Sequence, residues 1–129
     1  GTDLTTVYGT IHYGGGYPAN VHSGKDFKLR TAPNFADDFH TFALEWDSTA
    51  INWFVDDSLY QTQSNWYTTG HAFPAPFDKR FYLILNVAVG GNWPGPPDAT
   101  TSFPQTMRID YVRVYKANLN YQNDKGLSK

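Results

Sequence analysis

Two stretches of alternating hydrophobicity sit back to back in this chain, and they limit its fold more than any other feature. In Phe39 to Trp46 (FHTFALEW), His40, Phe42, Leu44 and Trp46 point one way, and Phe39, Thr41, Ala43 and Glu45 the other. Ile51 to Asp57 (INWFVDD) alternates again, with Ile51, Trp53 and Val55 sharing one face. Asp47-Ser48-Thr49 makes the turn between them, and Asp56-Asp57-Ser58 reads as a hairpin turn into a further strand, Leu59 to Gln63. Trp46 and Trp53 fall on the apolar faces and are expected in the core.

The remaining segments continue this theme. Tyr8 to Tyr13 (YGTIHY) reads as a strand running into a Gly14 to Pro18 loop, and Phe27 to Arg30 as a short strand. Phe81 to Val89 (FYLILNVAV) is almost continuously apolar, which predicts a central strand covered on both faces, and Met107 to Lys116 closes the set. Trp66 and Tyr67 fall on a connecting segment without a clear place. Strands divided by Gly-, Pro- and Asn-rich turns, with no helical period, predict an all-β sandwich or barrel.

Composition supports a packed core and excludes several partners. The 129 residues allow one domain, expected over 1–116, with a polar C-terminal tail over 117–129. Nine Tyr, nine Phe and four Trp are too many for a disordered chain. A net charge of -2 and a pI near 6.0 give no electrostatic reason to expect nucleic acid or an anionic membrane. Without cysteine, neither disulfides nor thiolate metal sites can form. No apolar run resembles a signal peptide or could span a bilayer.

Five segments carry a resemblance: Gly9 to Gly15 (GTIHYGG), His40 to Asp47 (HTFALEWD), Ile51 to Asp57 (INWFVDD), Phe81 to Gly95 (FYLILNVAVGGNWPG) and Asp110 to Tyr115 (DYVRVY). In this order and at these spacings the chain resembles the C-terminal half of a family 16 glycoside hydrolase of the laminarinase type. The resemblance implies a jelly-roll, concanavalin-like β-sandwich whose concave face binds β-glucan polysaccharide outside the cell. It also implies retaining endo-β-1,3-glucanase chemistry by two glutamates, roughly 5–5.5 Å apart. The family carries that pair in a Glu-(Ile/Leu)-Asp-x-x-Glu motif just upstream of its GTIHYGG-like strand. Glu45 is the only glutamate here, so this chain is expected to lack the pair and to be inactive alone.

No catalytic residue is therefore assigned. Glu45 and Asp47, two positions apart, would project roughly 6.5 Å apart by strand rise, a spacing two carboxylates could use. Turn formation by Asp47 is the plainer explanation. The alternative class is a non-catalytic β-glucan-binding module or a self-associating fragment.

The expected binding residues are His12, Asn86 and Trp93. His12 alternates with Ile11 and Tyr13, and by the resemblance it lines the cleft near the reacting sugar; otherwise it is an exposed strand histidine. Asn86 breaks an apolar strand, where its amide must find partners, from sugar hydroxyls and water or from core neighbours. Trp93 lies in a Gly- and Pro-rich loop, as a sugar platform or as packing for the loop. The resemblance further implies that Asp110 is a structural calcium ligand completed by backbone carbonyls, against the alternative of an ion pair with Arg108.

Counting strands gives one more expectation. Half a sandwich would leave the apolar faces of strands such as Phe81 to Val89 uncovered, so the chain is expected not to be a stable monomer. It would be a homo-oligomer, through a two-fold interface, or would pair with an N-terminal half supplied separately.

Overall fold

The computed structural model describes residues 3–30 and 34–116. The expected tail over 117–129 lies outside the described residues. Two compact units emerge, Gly1–Ile84 and Leu85–Lys129. No helix among the described residues is long and apolar enough to cross a membrane.

All five strands of the described residues are in the first unit: β1 Thr6–Gly14, β2 Asn20–Lys28, β3 Phe42–Trp46, β4 Ile51–Val55 and β5 Ser58–Gln63. β1 and β2 form an antiparallel pair, in register from Thr6 opposite Lys28 to Gly14 opposite Asn20. β3, β4 and β5 form a second antiparallel sheet with β4 central. β2 reaches back to Asn20, well before the expected start at Phe27. Its sequence, NVHSGKDFK, has no apolar alternation to announce it, and the ladder offered by β1 decides the conformation.

β3 starts at Phe42, three residues later than the alternation predicts. The Thr41 amide donates to the Asp56 carboxylate at 2.9 Å, so a side chain takes the hydrogen bond that a ladder would have used. Asp56 and Asp57 have φ of 46° and 65°. Positive φ at both central residues is the two-residue hairpin turn whose twist suits antiparallel strands. Two residue pairs beyond the turn, the β4–β5 register shifts between Trp53 and Phe54, leaving Tyr60 as the extra residue of a bulge. Leu59 is consequently exposed while Gln61 is buried, against their hydropathy.

The sheets meet through Ile11 of β1, Ile51 of β4 and Trp66, with Tyr13, Trp53 and Phe77 packed around them. Gly9 permits this approach: a Cβ there would lie 2.6 Å from the Tyr60 hydroxyl and 2.8 Å from Trp53 Cδ1. Buried Gln61 donates to the Gly9 carbonyl at 3.2 Å, tying β5 to β1. Trp66 is anchored by Nε1–H to the Pro74 carbonyl at 2.8 Å and by an edge-on contact with Phe77. Trp53, expected in the core, is half-buried and packs against the core cluster. Trp46 is not core: it lies on edge strand β3, 43% exposed, with its indole N–H on the Phe77 carbonyl.

Neither Phe81 to Val89 nor Met107 to Lys116 forms a ladder among the described residues, and their side chains are exposed. Hydrophobicity reports that a segment is built to be covered. Whether a partner strand is at hand is a separate matter, and without one the backbone stays unpaired. Arg113 stacks over the ring of Tyr111, 4.1 Å from its centroid, as side chains two apart on one face of an extended segment can.

Candidate functional site

His12 lies on β1, exposed, directly across from His22 on β2, with their rings 5.6 Å apart. Its Nδ1 is 3.4 Å from the Asn20 side-chain amide nitrogen. That nitrogen can only donate, so Nδ1 accepts, and a neutral His12 then carries its proton on Nε2. The Nε2–H is left to donate elsewhere.

His12 and Asn20 line an open notch of about 560 Å³ in the first unit. One wall is the loop after β1, from Gly14 to Tyr17, and the other is the turn from Thr68 to His71. Backbone hydrogen bonds fix the two walls together. The Gly14 amide donates to the Tyr67 carbonyl at 2.9 Å, and the Thr69 amide to the Gly14 carbonyl at 3.0 Å. Gly14 has a φ of 90°, which turns the chain out of the strand at this junction at little cost to a residue without Cβ. Sequence reasoning singled out His12 alone. Asn20, Thr68 and His71 carry no motif: the β1–β2 ladder sets Asn20 opposite Gly14, and the Gly14 bonds to residues 67 and 69 bring in the turn that carries Thr68 and His71.

Asn86, Trp93 and Asp110 belong to the second unit. Asn86 is exposed on the extended segment. Trp93, 76% exposed, stands at the tip of a loop closed by the Gly95 amide donating to the Gly91 carbonyl at 2.9 Å. Gly90, Gly91 and Gly95 have φ of 70°, 143° and 82°, conformations that hold the loop's shape and favour glycine. Asp110 is exposed, and no group of three or more His, Asp or Glu side chains among the described residues could hold a metal. Asp110 would supply one carboxylate of the six to eight oxygens that calcium takes, with backbone carbonyls supplying others.

Asp47 is a turn residue. Its Oδ1 accepts from the Thr49 hydroxyl and amide, both at 2.6 Å, and from the Ala50 amide at 2.9 Å. These bonds, the Thr49 hydroxyl foremost, hold its carboxyl below the ordinary range. A general acid needs a raised value, so Asp47 does not suit that one role, and its Oδ1 is engaged in holding the turn. Glu45 is exposed, opposite Asn52 in the β3–β4 ladder.

The sequence profile of glycosyl hydrolases family 16 matches residues 1–113. The chain is 45% identical over 119 residues to a glucan endo-1,3-beta-glucosidase of Niallia circulans, covering 86% of this chain and 17% of that protein. It is 38% identical over 120 residues to a beta-1,3-glucan-binding protein of Penaeus monodon, covering 78% and 32%. The crystal structure of the laminarinase catalytic domain from Thermotoga maritima aligns with a TM-score of 0.62 at 43% identity, over 81% of this chain and 41% of that one. The chain therefore spans less than half the length of each. With antiparallel sheets, a sandwich-like first unit and a profile match over almost its whole length, the chain belongs to glycosyl hydrolases family 16 and has that family's jelly-roll β-sandwich fold.

Proposed function

We propose that this chain is the C-terminal, glucan-facing portion of a retaining endo-β-1,3-glucanase acting outside the cell. The 45% identity to a glucan endo-1,3-beta-glucosidase carries this reading. In it His12, Asn86 and Trp93 contact the polysaccharide. His12 donates from Nε2 to a sugar hydroxyl, Asn86 offers its amide, and Trp93 offers a ring face to a pyranose. Retaining chemistry needs a nucleophile and an acid/base about 5–5.5 Å apart. Glu45 is the only glutamate of the sequence, so in this reading the catalytic pair comes from a segment upstream of these residues. The exposed apolar side chains of Phe81 to Val89 are then covered by a second copy of the chain or by further strands of the same domain.

A second reading, a β-glucan-binding module that does not cut, is favoured by the single glutamate and by the resemblance to a beta-1,3-glucan-binding protein. A reducing-sugar assay on the purified 129-residue chain with laminarin is expected to show no turnover. Turnover that disappears in Glu45→Gln would overturn the reading and make Glu45 catalytic. Pull-down on insoluble β-1,3-glucan should retain the chain, and failure to bind would remove the glucan from both readings. Sedimentation across a dilution series is expected to show association, and a folded 14.6 kDa species would refute it.

A further inference from the structure

We propose that His12 of β1 and His22 of β2 form a two-imidazole site for a divalent transition-metal ion of the zinc type, which bridges the two strands and keeps water at its remaining positions. The site goes beyond the β-glucan reading and stands without it.

Register brings the two rings together. His12 and His22 are directly opposite in the β1–β2 ladder, so their side chains leave one face of the pair side by side. Both are exposed there, with ring centroids 5.6 Å apart. Zinc bonds imidazole nitrogen at about 2.0–2.1 Å, so one ion shared by two rings at a near-tetrahedral angle sets their centroids roughly 5–6 Å apart. The ladder therefore already holds the separation that a shared ion requires. Rotation about χ2, a soft torsion, re-aims the nitrogens and leaves each centroid almost in place.

The neighbours leave this face open and uncharged. The flanking pairs on it are Thr10 opposite Gly24 and Gly14 opposite Asn20. Each contains a glycine, so no bulky side chain covers the imidazoles, and neither contains a Lys or Arg to repel a cation. Imidazole nitrogens suit zinc, copper and nickel, whereas calcium and magnesium seek oxygen.

Hydrogen bonding agrees with this role. The His22 imidazole makes no hydrogen bond among the described residues, and His12 Nδ1 faces the Asn20 side-chain amide at 3.4 Å. A metal on Nε2 of neutral His12 leaves the ring proton on Nδ1, and turning the Asn20 amide over presents its oxygen to that proton. Metal-bound histidines commonly donate their other N–H to a carbonyl oxygen in this way, so Asn20 is a positioning residue. Two protein ligands are fewer than a closed structural zinc site has, which makes this an open site with water in the other positions.

The test is a calorimetric titration of the 129-residue chain with zinc chloride at neutral pH in a buffer free of chelators, with the histidine ring signals followed by NMR. The His12 and His22 rings are expected to shift while the largely buried His40 ring stays, and calcium chloride should give no signal. His12→Ala and His22→Ala, each with circular dichroism unchanged, should weaken binding at least about tenfold, since even the loss of an outer partner costs roughly 10–100-fold. Asn20→Ala should weaken binding and Asn20→Asp, which keeps an acceptor oxygen, should restore it; parent affinity in Asn20→Ala would remove the positioning role. No zinc binding by the folded parent chain, parent affinity in both histidine variants, or binding with the His12 and His22 rings unmoved would overturn the site. None of these outcomes bears on the glucan reading, which the pull-down on insoluble β-1,3-glucan tests separately.

Discussion

Gly9→Ala puts one carbon atom of β1 against Trp53 of β4 and Tyr60 of β5. The added Cβ would stand 2.8 Å from Trp53 Cδ1, 3.1 Å from Trp53 Cγ and 2.6 Å from the Tyr60 hydroxyl. Carbon atoms in good contact sit about 3.5–4.0 Å apart, so the overlap with the indole is roughly 0.7–1.2 Å. Tyr60 is at the bulge and its hydroxyl is the far end of a side chain, so it can move aside. Trp53 cannot do so easily, because it lies on the central strand and packs against the Ile11, Ile51 and Trp66 cluster. Relief then requires the sheets to separate or Trp53 to leave its rotamer, and overpacking of this kind costs about 1–3 kcal/mol. Replacing a strand glycine lowers the entropy of the unfolded chain and returns about 0.4–1 kcal/mol. The net expectation is destabilisation of about 1–2 kcal/mol by these two effects. Urea unfolding should show a lower midpoint at an unchanged slope, and the double variant with Trp53→Leu should lose less than the sum of the single changes. A Gly9→Ala chain as stable as the parent, or additive with Trp53→Leu, would show that the sheets do not meet at Gly9.

Three further outcomes follow from other parts of the molecule. Asp57→Gly removes a side chain from a backbone at φ 65° and should stabilise by up to about 1 kcal/mol in urea unfolding; a loss of stability would mean that the Asp57 side chain, not its conformation, matters there. Asp56 accepts from His40 Nδ1 at 2.6 Å and from the Thr41 amide, the His40 bond foremost in holding its carboxyl below the ordinary 3.8. Its stabilisation is complete above the unfolded carboxylate value and is lost as pH falls through the lower folded value, so Asp56→Asn should flatten the acid limb of stability below about pH 4, measured by melting temperature against pH. Trp93→Ala should weaken β-glucan binding by about 1 kcal/mol in a titration, with circular dichroism unchanged; full affinity would return Trp93 to a packing role.

Most of the first unit follows from local pattern. Alternation at Ile51, Trp53 and Val55 names the buried face of β4, and consecutive aspartates mark the turn into β5, because side-chain direction and turn chemistry are set over a few residues. The single glutamate, too, rules out a catalytic pair of glutamates within these residues at any spacing. Tertiary structure decided the rest. β2 became a strand because β1 gave it a ladder, and Gln61 was buried because a bulge at Tyr60 shifted the register. Trp66 became core through the Pro74 carbonyl and the Phe77 ring, contacts that no periodicity announces. The apolar run from Phe81 to Val89 shows the converse. Its hydrophobicity is written in its own residues, but a ladder needs two strands, and a second one is not encoded by the first. The notch around His12 has the same origin, since residues far apart in sequence meet there only because Gly14 hydrogen-bonds to the turn that follows Trp66.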